Sequence, residues 1–191
     1  MKITNQSDHI DSSNKITKLS SRNWTTLTSI NISAGILAIE DSSFSQCHNL
    51  KSISVDSNNL QFASIDGILF TKNLETLICF PANQHLSRYA IPKNVILIGN
   101  FAFFHCSNIQ SITIPTSVTS IGDSAFSGCS SLRSIAIPTS VTSIGSSAFS
   151  RCSMLKSIVV ESNNLNYISQ NGILFTKNLE ILVCFPSNHH F

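Results

Sequence analysis

The chain repeats itself every 23 residues, and that period limits what it can fold into more than any other feature. Ile114 to Ala136 reads IPTSVTSIGDSAFSGCSSLRSIA, and Ile137 to Val159 reads IPTSVTSIGSSAFSRCSMLKSIV with no gap between them. Ile91 to Thr113, IPKNVILIGNFAFFHCSNIQSIT, keeps the same frame, and Ile32 to Ser54 is a looser copy that retains Phe44, Cys47, Leu50 and Ile53. A fixed period of this size implies a solenoid, because a unit so short buries its apolar side only against its neighbours in the stack.

Within one period the apolar positions are Leu132, Ile135, Ile137, Val141, Ile144, Ala148, Phe149 and Cys152. Alternate residues of a strand share a face, so Ile135 and Ile137 point inward while Ser134 and Ala136 point out. Pro138 lacks the N–H that would extend the ladder and ends the strand. A short second strand is expected around Val141 to Ile144, and Gly145 is expected to open a single helical turn carrying Ala148 and Phe149.

A longer unit interrupts the period. Leu50 to His85 and Leu155 to His190 are identical at 25 of 36 positions, and both contain GILFTKNLE. Gly67 to Phe70 and Leu74 to Phe80 read as two strands joined by a polar turn at Thr71 to Asn73. The expected organisation is an N-terminal segment over 1–26 with a partial repeat marked by Trp24 and Leu27, then a single solenoid over 27–191. The hairpin-bearing units fall at about 55–90 and 160–191, and a strand is due where the chain stops at Phe191, which reads as a C-terminal truncation.

Composition narrows function by exclusion. Charged residues make up 12% of the chain, about half the usual ~25%. The formal charge is only +2 and there is no basic run, so nucleic acid is not an expected partner. No stretch approaches the ~18 consecutive apolar residues of a membrane span, which excludes direct insertion through such a helix. Met1 to Asp11 lacks the apolar core of a signal peptide. Sequons at Asn5, Asn23 and Asn31 carry little weight in a chain with 34 serines and 18 asparagines.

The signature LxxIxIPxxVxxIGxxAFxxC, spanning Leu132 to Cys152, resembles the BspA-like branch of the leucine-rich-repeat surface antigens, as do the DGILF and CFP of the hairpin unit. The resemblance implies a leucine-rich-repeat solenoid: a right-handed α/β superhelix, strand-dominated with short helical turns. It also implies a non-enzymatic protein, cell-surface or secreted, that adheres to host cells or matrix. The absence of a signal-peptide core leaves an intracellular leucine-rich-repeat scaffold for protein–protein interaction as the alternative.

The residues offer little chemistry. Cys47, Cys106, Cys129 and Cys152 hold one repeat position, and Cys79 and Cys184 are equivalent in the hairpin units, so buried free thiols are expected, with bridging as the alternative. No CxxC or HxxxH spacing suggests a metal site. His48, His105, His189 and His190 read as exposed turn residues, and Gly122–Asp123–Ser124 as a repeat turn rather than a nucleophile elbow. No catalytic residue, cofactor or metal is expected. The candidate site is the outward row of the main strands: Ser52, Ser54, Ser111, Thr113, Ser134, Ala136, Ser157 and Val159, flanked by Lys51, Gln110, Arg133 and Lys156. Such a face suits a protein or glycan ligand, host extracellular matrix or cell surface included.

Overall fold

The computed structural model describes residues 9–10, 16–19 and 24–189. Most of the expected N-terminal segment, with Asn5 and Asn23, lies outside the described residues, as does His190. Two short strands come first, β1 (His9–Ile10) and β2 (Ile16–Leu19), and β2 pairs in parallel with the fourth strand. Long and short strands then alternate as β3 (Ser29–Ile32), β4 (Ala38–Ile39) and β5 (Ser52–Val55), followed by a hairpin unit of β6 (Phe62–Ile65), β7 (Ile68–Thr71) and β8 (Thr76–Cys79). The alternation resumes with β9 (Arg88–Ala90), β10 (Leu97–Ile98), β11 (Ser111–Thr113), β12 (Ser120–Ile121), β13 (Ser134–Ile137), β14 (Ser143–Ile144) and β15 (Ser157–Val160). A second hairpin unit ends it, with β16 (Tyr167–Gln170), β17 (Ile173–Thr176) and β18 (Leu182–Cys184).

Successive coils pair in parallel, one repeat apart. Ser134 to Ile137 sit beside Ser157 to Val160, and Ser111 to Thr113 beside Arg88 to Ala90. The short strands form their own ladder, Leu97 against Ser120 and Ser120 against Ser143. This register stacks each apolar position on its equivalent. Phe80, Phe103, Phe126 and Phe149 form a column with ring centroids 5.1, 5.2 and 5.5 Å apart and interplanar angles of 25°, 22° and 7°. Leu132, Ile135 and Ile137 are buried while Ser134 and Ala136 are exposed, as strand alternation requires.

The expected helical turn does not form; among the described residues there is no helix. Residues 101, 105, 124, 147 and 151 adopt positive φ between 52° and 57°, which breaks any helical run. Their peptide groups turn sideways instead, so that Phe101, Phe103 and His105 N–H donate to Asp123, Ala125 and Ser127 of the next coil at 2.7–2.9 Å. The intercoil ladder compensates a left-handed cost of roughly 1–2 kcal/mol per residue.

The hairpin units are also built differently from expectation. Each has three antiparallel strands, and Leu74, expected in a strand, lies in a turn at φ 63°. The first turn is Asp66–Gly67 with φ of 51° and 80°, repeated by Asn171–Gly172 at 51° and 82°. Both central residues of a type I′ turn need positive φ, which Asp-Gly and Asn-Gly supply. The first hairpin crosses the stack as a partition. Leu69 joins the apolar cluster of Trp24, Ile30 and Leu50, whereas its neighbours Ile68 and Phe70 join the cluster of Phe103 and Phe126. Both units are pinned by a buried asparagine: Asn164 Nδ2 donates to Pro138 O and Val141 O at 2.8 and 3.0 Å, and its Oδ1 accepts from the Asn166 and Tyr167 N–H groups, both at 2.8 Å. Asn59 makes the equivalent four bonds to residues 33, 36, 61 and 62.

Candidate binding face

The outward row expected from the sequence forms, but in two pieces. Lys51, Ser52 and Ser54 lie with β3, where Ser54 Oγ donates to Asn31 Oδ1 at 3.0 Å. The other edge of β5 is taken by the hairpin: Ile53 N–H donates to Gly67 O at 2.8 Å and Val55 N–H to Ser64 Oγ at 3.1 Å. A Cβ on Gly67 would stand 3.0 Å from Ser52 Cβ, so this turn rests on Ser52 and leaves it half-buried. Ser157 is covered in the same way by Gly172.

Between the two hairpin turns the remaining candidates come together. Gln110, Ser111, Thr113, Arg133, Ser134, Ala136, Lys156 and Val159 are all exposed, on β11, β13 and β15 and the residues just before them. Two residues that belong to this plate were missed, Arg88 and Ala90 of β9, which pair with Ser111 and Thr113. Stepping back one period from those two residues gives their positions, so the signal was in the sequence. Apart from Arg88, the outward side chains of the plate's strands are small and uncharged; Arg133 and Lys156 stand just before β13 and β15, and the four strands contain no carboxylate.

The cysteine positions form an internal column. All six thiols are free, and all but Cys184 are buried. Cys129 and Cys152 Sγ donate to Phe103 O and Phe126 O at 3.1 Å, and Cys106 Sγ to Phe80 O at 3.4 Å. Burial raises every one of these thiols: Cys47 and Cys184 to about 11, Cys152 to about 12, and Cys79, Cys106 and Cys129 further. Nucleophilic or metal-binding chemistry needs the thiolate, which burial disfavours. His105 is half-buried rather than exposed, packed edge-on against His48 at 5.0 Å, and burial, then His48 and Arg151, lower its pKa. His189 is half-buried as well, with Nε2 against the Asn171 carbonyl. Ser124 N–H bonds to Ser146 O as part of the intercoil ladder. Among the described residues, no three His, Cys, Asp or Glu side chains are grouped to hold a metal ion.

The profile of the BspA type Leucine rich repeat region matches this chain in six copies, over residues 4–90 and 77–190. The chain belongs to the BspA-type leucine-rich-repeat family. Among solved structures it is similar to a leucine-rich repeat protein from Eubacterium ventriosum, with 34% identity and a TM-score of 0.69 over 71% of this chain and 36% of that one. A leucine rich cell surface protein from Faecalibacterium prausnitzii matches with 28% identity and a TM-score of 0.57, over 73% of this chain and 43% of that one. The pneumococcal vaccine antigen PcpA shares the fold at 22% identity and a TM-score of 0.65, over 81% of this chain and 45% of its own. The BspA-type chain thus spans less than half the length of each of these relatives. No curated protein is similar to it in sequence.

Proposed function

We propose that this BspA-type solenoid is a non-enzymatic binding protein that adheres to a protein or glycan ligand through the plate formed by β9, β11, β13 and β15. The observation that carries this reading is the plate itself: two parallel strand pairs, β9–β11 and β13–β15, each in register, with exposed and mostly small outward side chains between two hairpin turns. Such a surface gives many modest contacts over a regular area, as binding faces of solenoids do. The buried thiols, raised by that burial, favour packing over thiolate chemistry. The cell-surface designation of the Faecalibacterium relative supports a ligand met at a cell surface, and host cells and extracellular matrix are the sources to test.

The test is binding of the fluorescently labelled chain to arrayed matrix proteins and glycans, repeated with Ala136→Glu plus Val159→Glu. Both positions are exposed and paired across β13 and β15, so the two carboxylates stand side by side on the surface, and circular dichroism checks that the variant is folded. Two buried or crowded charges at a contact surface are expected to weaken binding at least about tenfold, or ~1.4 kcal/mol. Undiminished binding by the double variant, or no binder anywhere on the array, refutes the plate as an adhesive face.

A further inference from the structure

The chain has 18 asparagines, and only Asn171 is followed by glycine. The pair forms the exposed tip of the second hairpin, with φ of 51° at Asn171 and 82° at Gly172. In a type I′ turn the closing hydrogen bond joins the residues that flank the central pair, so the Gly172 N–H is not spent in the ladder. Glycine also has no Cβ to crowd its nitrogen, which leaves that nitrogen able to approach the Asn171 side-chain amide. At every other asparagine the following residue carries a side chain.

The first hairpin shows which product this turn accepts. Asp66–Gly67 occupies the equivalent place with φ of 51° and 80°. Its contacts are matched: Gly67 O accepts from Ile53 N–H at 2.8 Å, as Gly172 O does from Ile158 N–H at 2.8 Å. Gln84 Nε2 donates to Asp66 O at 3.2 Å, where His189 Nε2 lies against Asn171 O. An aspartate at position 171 therefore fits the turn as built. A longer backbone does not. A Cβ on Gly172 would stand 2.8 Å from Ser157 Cβ and 3.1 Å from Ser157 Cα, so the turn has no room to swell toward β15.

We propose that Asn171 is a self-modification site and that its isoaspartyl product detaches the second hairpin turn from β15. The Gly172 nitrogen attacks Asn171 Cγ and closes a succinimide ring, and the side-chain nitrogen leaves as ammonia, taking up the proton that Gly172 gives up. Water then opens the ring at one of its two carbonyls. Opening at Cγ gives aspartate and the original backbone, whereas opening at the main-chain carbonyl routes the chain through Cβ and Cγ and lengthens it by one carbon. In a two-residue turn that carbon moves Gly172 O off the Ile158 N–H and breaks the positive-φ pair that sets the hairpin register. The first hairpin, with Asp66 in this place, has no amide to lose. This inference concerns the turn at one end of the plate and does not depend on the plate's ligand.

The experiment ages the 191-residue chain in heavy-oxygen water at mildly alkaline pH, which favours loss of the Gly172 amide proton, and locates the label by peptide mass spectrometry. Label is expected at Asn171 about tenfold or more faster than at any other asparagine, since only there is the attacking nitrogen unhindered by a Cβ. An isoaspartyl methyltransferase measures the isoaspartyl fraction, and hydrogen exchange reads the Ile158 amide in fresh and aged chains. The isoaspartyl fraction is expected to lose Ile158 protection, because the bond to Gly172 O is gone. Asn171→Asp, which gives the second turn the residue of the first, is expected to keep it. Label that appears at other asparagines before Asn171 overturns the proposal. So does an isoaspartyl fraction with Ile158 still protected, or loss of protection in Asn171→Asp itself, since the longer backbone would then not be what opens the turn.

Discussion

Phe126→Ala is expected to lower the stability of the chain by about 3–5 kcal/mol, the range for a fully buried phenylalanine whose cavity cannot collapse. The ring lies between Phe103 at 5.2 Å and Phe149 at 5.5 Å, and its side chain is 0% exposed. Collapse is opposed by the intercoil ladder: Phe126 N–H is fixed to Ala148 O at 2.8 Å and Cys152 Sγ to Phe126 O at 3.1 Å. In a solenoid each coil contacts only its neighbours, so one missing ring weakens two interfaces together. Phe44, half-buried at the same repeat position in the first coil, provides the comparison. Phe44→Ala should cost about half as much. Urea unfolding measures both, and equal losses would mean that the column does not concentrate stability at its centre.

Asn164→Leu is expected to cost about 3–6 kcal/mol, although it adds apolar volume in a buried place. Asn164 is 0% exposed and satisfies two carbonyls and two N–H groups at 2.8–3.0 Å. Each buried group left without a partner costs ~1–3 kcal/mol, and leucine can serve none of them. Asn164→Asp should be comparably damaging at neutral pH, because it retains the acceptor side but sets a carboxylate against the Pro138 and Val141 carbonyl oxygens. Asn163, exposed next to it, is the control, and Asn163→Leu should change stability by less than ~0.5 kcal/mol. Thermal unfolding of the three variants decides whether this asparagine pins the hairpin to the preceding coil.

Strand positions and their inward and outward faces were legible in the sequence because strand alternation and the 23-residue frame both act locally. The stack of Leu132, Ile135 and Ile137 on their equivalents needed nothing more. Turn geometry was not legible in the same way. Serine at 124 and 147 tolerates a helix, and only the hydrogen bonds to the adjacent coil hold it at positive φ. The first hairpin strand was missed although Asp66–Gly67 between alternating residues is a turn signal in its own right. Asn59 and Asn164 sit in segments as polar as any surface loop, and their burial depends on carbonyls 23 and 26 residues earlier in the chain. For the outward row, alternation placed Ser54, Ser111, Thr113, Ser134, Ala136 and Val159 on the exposed side, while Ser52 and Ser157 are half-buried. The division of the row at β5 arises from a hairpin folding back over Ser52, a tertiary event with no local sign.

The central claim is that residues one period apart lie side by side, and oxidative cross-linking tests it directly. Ala136 and Val159 are partners on adjacent parallel strands, with a spacing of about 4.8 Å that falls inside the range a disulfide can span. Ser134 and Val159 are offset by two residues along the strands, at about 8 Å and beyond it. Under mild oxidation Ala136→Cys with Val159→Cys should close an intramolecular disulfide in nearly all molecules, and Ser134→Cys with Val159→Cys should leave both engineered thiols free. Failure of the first pair to bridge, or bridging of the second pair at the same rate, would contradict the stacked register.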